Sequence, residues 1–372
     1  MKMRSPAALL AGAMTLALAA PATATGTDTN VHHHLYRTDT TTTATVTDDR
    51  RKLVYTIEPV GLLAVLHTAT GRVRTIVVGS HPNSLAIDEH SGRVYVANLN
   101  SDDVTVVRRE RVLATVPVGA SSAPNRVLVD PHTHLIYVTD TGADRVSVLR
   151  GTREIRRLEV GKAPSGLTQL GNRVYVANAG SGSLSVIRNE RVVDTIAIGG
   201  TPTALSANPR TRQVYAVDPI NSTVLMVRHG KLSATIALRT AATPIALVIS
   251  PQTDTIDIIE AGSYDPTTQR WVEGGLAIIS DRTIVADPAT DARHPVTGLA
   301  LDANSGQVIV GSNRAPRGFV LDGATVVATG GARFSGVTEG FHRTAYAGNA
   351  QTLGDPGITR LRIPKDAPAA HH

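Results

Sequence analysis

The chain contains no cysteine among its 372 residues. Without a thiol, the protein cannot form disulfides, thiolate metal sites, a cysteine nucleophile or covalent c-type haem. Aromatic residues are also scarce, since Phe, Trp and Tyr make up 3% of the chain and Trp occurs once. This scarcity argues against single-stranded nucleic acid as a partner, because such binding uses aromatic side chains on which bases stack.

Motifs of the common enzyme classes are absent from the sequence. We find no G-x-S-x-G elbow, P-loop, G-x-G-x-x-G fingerprint, H-E-x-x-H helix or acidic calcium loop. The sequence therefore names no reaction, and we expect a protein without cofactor or metal.

The N-terminus reads as a secretory signal peptide over residues 1–24. Lys2 and Arg4 precede a short apolar run, and Ala22 and Ala24 form an A-x-A cleavage site. We expect cleavage after Ala24 and a periplasmic or secreted monomer whose mature chain has no membrane span. The net charge of +6 falls to +4 when the two basic residues leave with the signal, too small an excess to indicate nucleic-acid binding by itself.

The mature chain divides into three predicted segments. Residues 25–44 form a flexible Thr- and His-rich lead-in, residues 45–365 one folded domain, and residues 366–372 a flexible tail.

The folded domain is built from a repeat of about 40 residues. The hexapeptide RVYVAN occurs at 93–98 and again at 173–178, and its Tyr recurs with spacings of 40, 42, 38 and 40 residues. These tyrosines are Tyr55, Tyr95, Tyr137, Tyr175 and Tyr215, with a degenerate copy at Tyr346. Self-similarity at this period indicates stacked supersecondary units.

Each unit contains four short β-branched runs separated by Gly, Pro, Asn, Asp and Ser turns. This order predicts a four-stranded antiparallel meander, and a period near 40 predicts an all-β β-propeller of such blades. Asp257 and Ile309 stand where two further copies would carry Tyr, which brings the count to eight units. We favour eight blades over seven, and expect HLYRTD near the N-terminus to supply the last blade's missing strand.

The copies resemble the YVTN-type repeats of secreted and surface-layer bacterial β-propellers. The matching residues are Tyr95-Val96-Ala97-Asn98, Tyr137-Val138-Thr139-Asp140, Tyr175-Val176-Ala177-Asn178 and, more weakly, Tyr215-Ala216-Val217-Asp218. The resemblance covers roughly residues 50 to 365. It implies the propeller fold, and it leaves activity open because the family includes DNA-binding and lactonase-like relatives.

A polar residue lies three positions after each Tyr position. The set is Glu58, Asn98, Asp140, Asn178, Asp218, Glu260, Ser312 and Asn349. We interpret these residues as structural, because short polar side chains at strand ends bond nearby backbone and start turns. The alternative is a lactonase-like hydrolase in which Asp140, Asp218 or Glu260 holds a divalent cation.

Arginine follows the third strand of several copies, and in a propeller these turns would form a basic rim. The candidate residues are Arg108, Arg109, Arg111, Arg153, Arg156 and Arg157. Such a rim could bind nucleic acid or another anionic polymer. A solvated rim that protects strand edges is the favoured interpretation.

The regular pattern breaks at AGSYDPTTQRWVEGG, residues 261–275, which is about ten residues longer than the corresponding turns. A long aromatic insertion on a rigid scaffold is where recognition usually occurs, although Trp271 could instead cover the blade or fill the channel. The candidate binding residues are Tyr264, Arg270, Trp271, Glu273, Arg314 and Arg317. We therefore expect a non-enzymatic binding scaffold for a protein or a small polar ligand.

Overall fold

A computed structural model describes the following parts of the chain: 32–37, 44–58, 60–238, 243–261, 263–265, 270–272, 275–286, 296–301, 308–312, 318–322, 325–330, 336–339, 344–348 and 357–362. Side chains are described within 44–58, 60–238, 243–261 and 275–285. These parts contain no α-helix, and their one helical element is a 3-10 turn at Thr141–Ala143. No helix long and apolar enough to cross a membrane occurs among the described residues.

The first half of the chain supplies four sheets of consecutive strands and one strand that joins the last sheet. That strand is β1 (His32–Arg37). The first sheet contains β2 (Ala44–Asp48), β3 (Leu53–Glu58), β4 (Leu62–His67) and β5 (Val73–Val77). The second contains β6 (Pro82–Asp88), β7 (Arg93–Asn98), β8 (Asp103–Arg108) and β9 (Arg111–Pro117). The third contains β10 (Pro124–Val129), β11 (Leu135–Asp140), β12 (Arg145–Arg150) and β13 (Arg153–Glu159). The fourth contains β14 (Pro164–Leu170), β15 (Arg173–Asn178), β16 (Ser183–Arg188) and β17 (Arg191–Ala197).

The second half continues the same pattern with one interruption. The fifth sheet contains β18 (Ala204–Asn208), β19 (Gln213–Asp218), β20 (Thr223–Arg228) and β21 (Lys231–Ala237). In the sixth, a separate hairpin of β24 (Ser263–Asp265) and β25 (Arg270–Val272) interrupts β22 (Thr243–Ser250), β23 (Thr255–Ala261), β26 (Gly275–Ser280) and β27 (Thr283–Ala286). The seventh contains β28 (Val296–Leu301), β29 (Val308–Ser312), β30 (Gly318–Asp322) and β31 (Thr325–Gly330). The last contains β32 (Gly336–Glu339), β33 (Thr344–Gly348), β34 (Gly357–Arg362) and β1.

The first strand of each sheet contacts the first strand of the next one. β2 contacts β6, and the same relation continues through β10, β14, β18, β22, β28 and β32, which in turn contacts β2. The remaining strands of each sheet follow outward from this ring in antiparallel order. The predicted all-β propeller of four-stranded blades is thus confirmed, with at least six blades, and the eight four-stranded sheets among the described residues equal in number the eight repeats of the sequence. Below, blade numbers follow the order of the sheets.

The repeated Tyr residues are buried between blades. Tyr55 on β3 has no exposed surface, and it belongs to one apolar cluster with Leu85 and Val96 of blade two. Tyr215 on β19 similarly packs with Ile256 and Ile258 of blade six. The second strands are therefore apolar on both faces because each blade is covered by a neighbour on either side.

The N-terminal strand β1 pairs with β34 in antiparallel register, from His32 opposite Arg362 to Arg37 opposite Gly357. This pairing is the one that closure of the last blade by HLYRTD requires. The strand lies inside residues 25–44, the segment predicted as a flexible lead-in. At 32–37 the structure instead has a strand, because β34 offers an unpaired edge. The predicted signal peptide and the tail at 366–372 lie outside the described residues.

Candidate functional site

The two ends of the propeller differ in the loops that they carry. One end holds the turns between second and third strands together with the links between blades, and we call it the hairpin face. The opposite end holds the turns between first and second strands and between third and fourth strands, and we call it the turn face. In blades one to five, the second and third strands are joined by three or four residues. In blade six the same position holds residues 262–274, including the hairpin of β24 and β25.

The hairpin brings predicted site residues into one element. Its register places Tyr264 opposite Trp271 and Asp265 opposite Arg270. The two aromatic residues of the insertion are thus partners across its two strands. Glu273, Arg314 and Arg317, the other predicted members of the site, lie outside the described residues.

The polar residues at the ends of the second strands are buried. Each of the six in blades one to six has at most 1% of its surface exposed, namely Glu58, Asn98, Asp140, Asn178, Asp218 and Glu260. Of the other two predicted members, Ser312 ends β29 and Asn349 lies outside the described residues. The six lie on second strands, behind the strands that line the central axis.

The two asparagines of this set connect the second strand to the third strand of their own blade. Asn98 Nδ2 donates to Asp103 Oδ1 at 2.6 Å and to Thr105 Oγ1 at 2.8 Å. Asn178 Nδ2 donates to Ser183 Oγ at 3.1 Å and Ser185 Oγ at 3.0 Å. These hydrogen bonds fix the edge of the blade where the chain turns.

The two aspartates of this set are also engaged locally. Asp140 accepts hydrogen bonds from Ser147 Oγ at 2.7 Å and from Arg145 Nε at 3.2 Å. Burial nevertheless raises the pKa of Asp140 to about 7, against the opposing effects of these two neighbours. Asp218 starts a turn, since its Oδ1 accepts from the backbone N–H groups of Ile220 and Asn221 at 3.1 and 3.2 Å.

Glycines in the links between blades complete this local arrangement, and the sequence reasoning missed them. A Cβ atom on Gly79 would lie 2.6 Å from Cγ of Asn98, and one on Gly200 would lie 2.8 Å from Cγ of Asp218. The links can therefore cross the buried polar residue only where no side chain is present. The signal in the sequence was the Gly that follows the closing strand, as in TIVVG at 75–79 and TIAIGG at 195–200.

The described residues do not assemble the carboxylates of the hydrolase alternative into a site. Asp140 belongs to blade three, Asp218 to blade five and Glu260 to blade six. Among the described residues, no group of three or more His, Asp or Glu side chains is placed to hold a metal ion.

The predicted basic rim falls into two groups on separate blades. Arg108, Arg109 and Arg111 are exposed in the turn-face hairpin of blade two. The second group is exposed on β13 of blade three and consists of Arg153, Arg156 and Arg157. Two members of this second group face carboxylates, since Arg157 Nη2 lies 2.8 Å from Glu154 and Arg156 Nε lies 3.7 Å from Glu190.

Acidic residues that bridge neighbouring blades on the turn face were also missed by the sequence reasoning. Glu110 of blade two contacts Arg72 at 2.6 Å and Arg74 at 3.1 Å, both in or next to the outer strand of blade one. His134 Nδ1 of blade three lies 3.0 Å from Oδ1 of Asp88 in blade two. A sequence does not reveal such pairs because their members are about 40 residues apart and meet only through the packing of blades.

Comparisons with known proteins agree with this architecture. No protein-family model and no curated protein matches the chain. Among solved structures, virginiamycin B lyase from Staphylococcus aureus aligns with a TM-score of 0.62 and 12% identity over 90% of this chain and 99% of its own. The computationally designed Ika8 protein aligns with a TM-score of 0.65 and 15% identity over 88% of this chain and 98% of its own.

A third solved structure is explicitly a propeller. The β-propeller domain of Swd1 from Myceliophteria thermophila aligns with a TM-score of 0.57 and 11% identity over 90% of this chain and 100% of its own. Identities this low carry the fold and no activity. By its repeats, its sheets and these likenesses, the chain is a β-propeller repeat protein.

Proposed function

We propose that this protein is an exported, non-enzymatic β-propeller of the YVTN-repeat type that binds a protein or a small polar ligand through its hairpin face. The observation that carries the proposal is the hairpin of β24 and β25. It replaces a short turn of blade six, and it pairs Tyr264 with Trp271. Tyr and Trp are the residues most enriched where binding energy is concentrated, and a rigid scaffold positions them at low entropic cost.

Binding is favoured over catalysis by the way the scaffold uses its buried polar groups. Asn98, Asn178 and Asp218 bond to their own blades, and the carboxylates of Asp140 and Asp218 stand two blades apart. Reactive groups in an enzyme have to converge within hydrogen-bonding reach of one substrate. These residues instead shape the strand ends, so we propose a structural role for the set.

The basic rim supports a weaker second proposal of anionic-polymer binding. Of the two arginine groups, the one at Arg108, Arg109 and Arg111 carries this proposal. Among the described residues, no carboxylate lies within 4.0 Å of these exposed side chains, whereas the second group has two members that face carboxylates. Exposed charges of this kind are common on strand edges, where they oppose pairing with other sheets.

A loop exchange tests the main proposal. In the test variant, residues 262–274 are replaced by Ala-Gly-Ser-Gly, the turn that joins β15 to β16. We expect the variant to fold, with a Tm within a few degrees of the parent, and to lose proteins or ligands that the parent enriches from the periplasm of the source organism. Enrichment is measured by quantitative mass spectrometry.

The matched control exchanges a short turn on the same face. Residues 219–222 of blade five are replaced by the same four residues, which leaves the hairpin in place. This control is expected to retain the enriched partners. Equal enrichment by the parent and the variant without the hairpin would refute the proposal.

A further inference from the structure

A cleft opens on the turn face between blades five and six. Its volume is about 430 Å³, and its mouth is formed by turns of both blades. Four arginines line it, together with two aspartates: Arg210, Arg212, Arg228, Arg282, Asp254 and Asp281. We call this site the blade 5–6 cleft. Its four arginines outnumber its two aspartates.

At two other boundaries, a carboxylate from one blade faces arginines of the preceding blade. Glu190, two residues after the end of β16, lies 3.4 Å from Arg150 and 3.7 Å from Arg156 of blade three. Glu110, two residues after the end of β8, has the same role toward Arg72 and Arg74 of blade one. In blades two and four, this position on the turn face therefore holds an anion.

In blade six this position is occupied by an arginine. Arg282 lies two residues after the end of β26, as Glu110 and Glu190 do after their third strands. Facing it, Arg228 ends β20 just as Arg150 ends β12. This boundary thus brings together two cations, whereas the boundaries of blades one and two and of blades three and four each place a glutamate against arginines.

The charges of the cleft are only partly compensated within the protein. Arg210 lies 3.8 Å from Oδ2 of Asp254, and Oδ1 of Asp254 already accepts a hydrogen bond from Asn208 Nδ2 at 2.6 Å. Among the described residues, no carboxylate lies within 4.0 Å of the guanidinium groups of Arg228 or Arg282. Each of these guanidinium groups retains donors for an external acceptor.

Both arginines lie near the hydroxyl of Tyr215. Burial and the nearby Asp254 raise the pKa of Tyr215, and Arg282 and Arg228 lie close enough to oppose that rise. The Tyr215 hydroxyl donates to Gln213 Oε1 at 2.7 Å, and Met226 and Ile256 also line the cleft. Tyr215, Met226 and Ile256 are almost fully buried, so the lining is mainly polar, with a small apolar floor beside the guanidinium groups.

We propose that the blade 5–6 cleft binds a small organic phosphate, whose phosphoryl group takes the place that the carboxylates of Glu110 and Glu190 occupy elsewhere. Guanidinium groups match phosphate oxygens in bidentate geometry, and a doubly charged group compensates two arginines at once. The volume lies in the range of small-molecule sites, and the small apolar floor can contact an organic group carried by the phosphate.

Calorimetric titration with phenyl phosphate and with inorganic phosphate tests this proposal. We expect phenyl phosphate to bind the full chain more tightly than inorganic phosphate does, because only phenyl phosphate contacts the floor. In Arg282→Glu the repeat's own anion is restored, and phenyl phosphate affinity should fall at least tenfold while Tm stays equal or rises. Arg282→Gln should lose affinity to a smaller extent.

The matched control is Arg173→Glu, which reverses an exposed arginine at the start of β15 on the turn face of blade four. It should bind phenyl phosphate as the parent does. Unchanged affinity in Arg282→Glu, or an equal loss in Arg173→Glu, would overturn the proposal, because binding would then not depend on this cleft. Benzoate that binds as tightly as phenyl phosphate would overturn the assignment to phosphates.

Discussion

Asp257 occupies the position where the repeat elsewhere has a buried Tyr. It has no exposed surface on β23, and burial raises the pKa of its carboxyl from an ordinary 3.8 to about 7, against a smaller opposing effect of Thr255. An acid whose pKa is raised by folding stays protonated in the native state and ionises in the unfolded chain. Its contribution to stability is therefore largest at low pH and is lost as the pH rises from about 4 to about 7.

The consequence is a pH dependence that a single substitution reduces. We expect the Tm of the parent to be higher at pH 5 than at pH 7.5, and Asp257→Asn to decrease this difference and raise the Tm at pH 7.5. The gain at pH 7.5 should be a few kcal/mol at most. Thermal unfolding followed by circular dichroism at the two pH values measures it.

Some pH dependence should remain in Asp257→Asn, because burial also raises the pKa of Asp140 to about 7. The matched control is Asp194→Asn, which changes an exposed aspartate on β17. An equal effect of Asp194→Asn would contradict this interpretation. So would a parent Tm that is higher at pH 7.5 than at pH 5 and that does not change in Asp257→Asn.

At the scale of elements, the strand β1 completes the sheet of the last blade. It pairs along its whole length with β34, which would otherwise be the outer edge of its sheet. An exposed strand edge is a template for pairing with other chains. One short segment near the N-terminus thus protects a strand more than 300 residues away in the sequence.

Removal of β1 should destabilise the domain. We expect a chain that starts at residue 39 to unfold several degrees below one that starts at residue 25, and to self-associate through β34. Circular dichroism and multi-angle light scattering measure the two effects. The control removes residues 366–372 and should leave both unchanged, and a truncated chain as stable and monomeric as the longer one would argue against this role of β1.

The elements that the sequence predicts well are those that repeat. The VYVAN-like second strands, the opening Pro and the four-strand order are local patterns, so copies such as 93–98 and 173–178 predict both strands and architecture. Contacts between copies are not local. The ion pairs of Glu110 and Glu190 depend on which turns the ring brings together, and so does the placement of Arg282 at the equivalent position of blade six. The pairing of Tyr264 with Trp271 depends on where the inserted loop folds back.

At the scale of the whole molecule, the propeller separates two surfaces by construction. First strands surround the axis, each face carries its own set of connections, and buried Tyr residues hold neighbouring blades together. A change on one face therefore has little effect on the other, and the hairpin of blade six can be altered while the blade 5–6 cleft stays intact. Each proposed site can be tested with the other as an internal reference.

The central claim is that partners bind at the hairpin of blade six. The most direct measurement places the photo-crosslinking residue benzoylphenylalanine at position 271, or at the exposed position of Ser181 in the matching turn of blade four, in the full chain expressed in living cells. We predict a discrete crosslinked product from position 271 and none from position 181. Products of equal yield from both positions, or none from position 271, would contradict it.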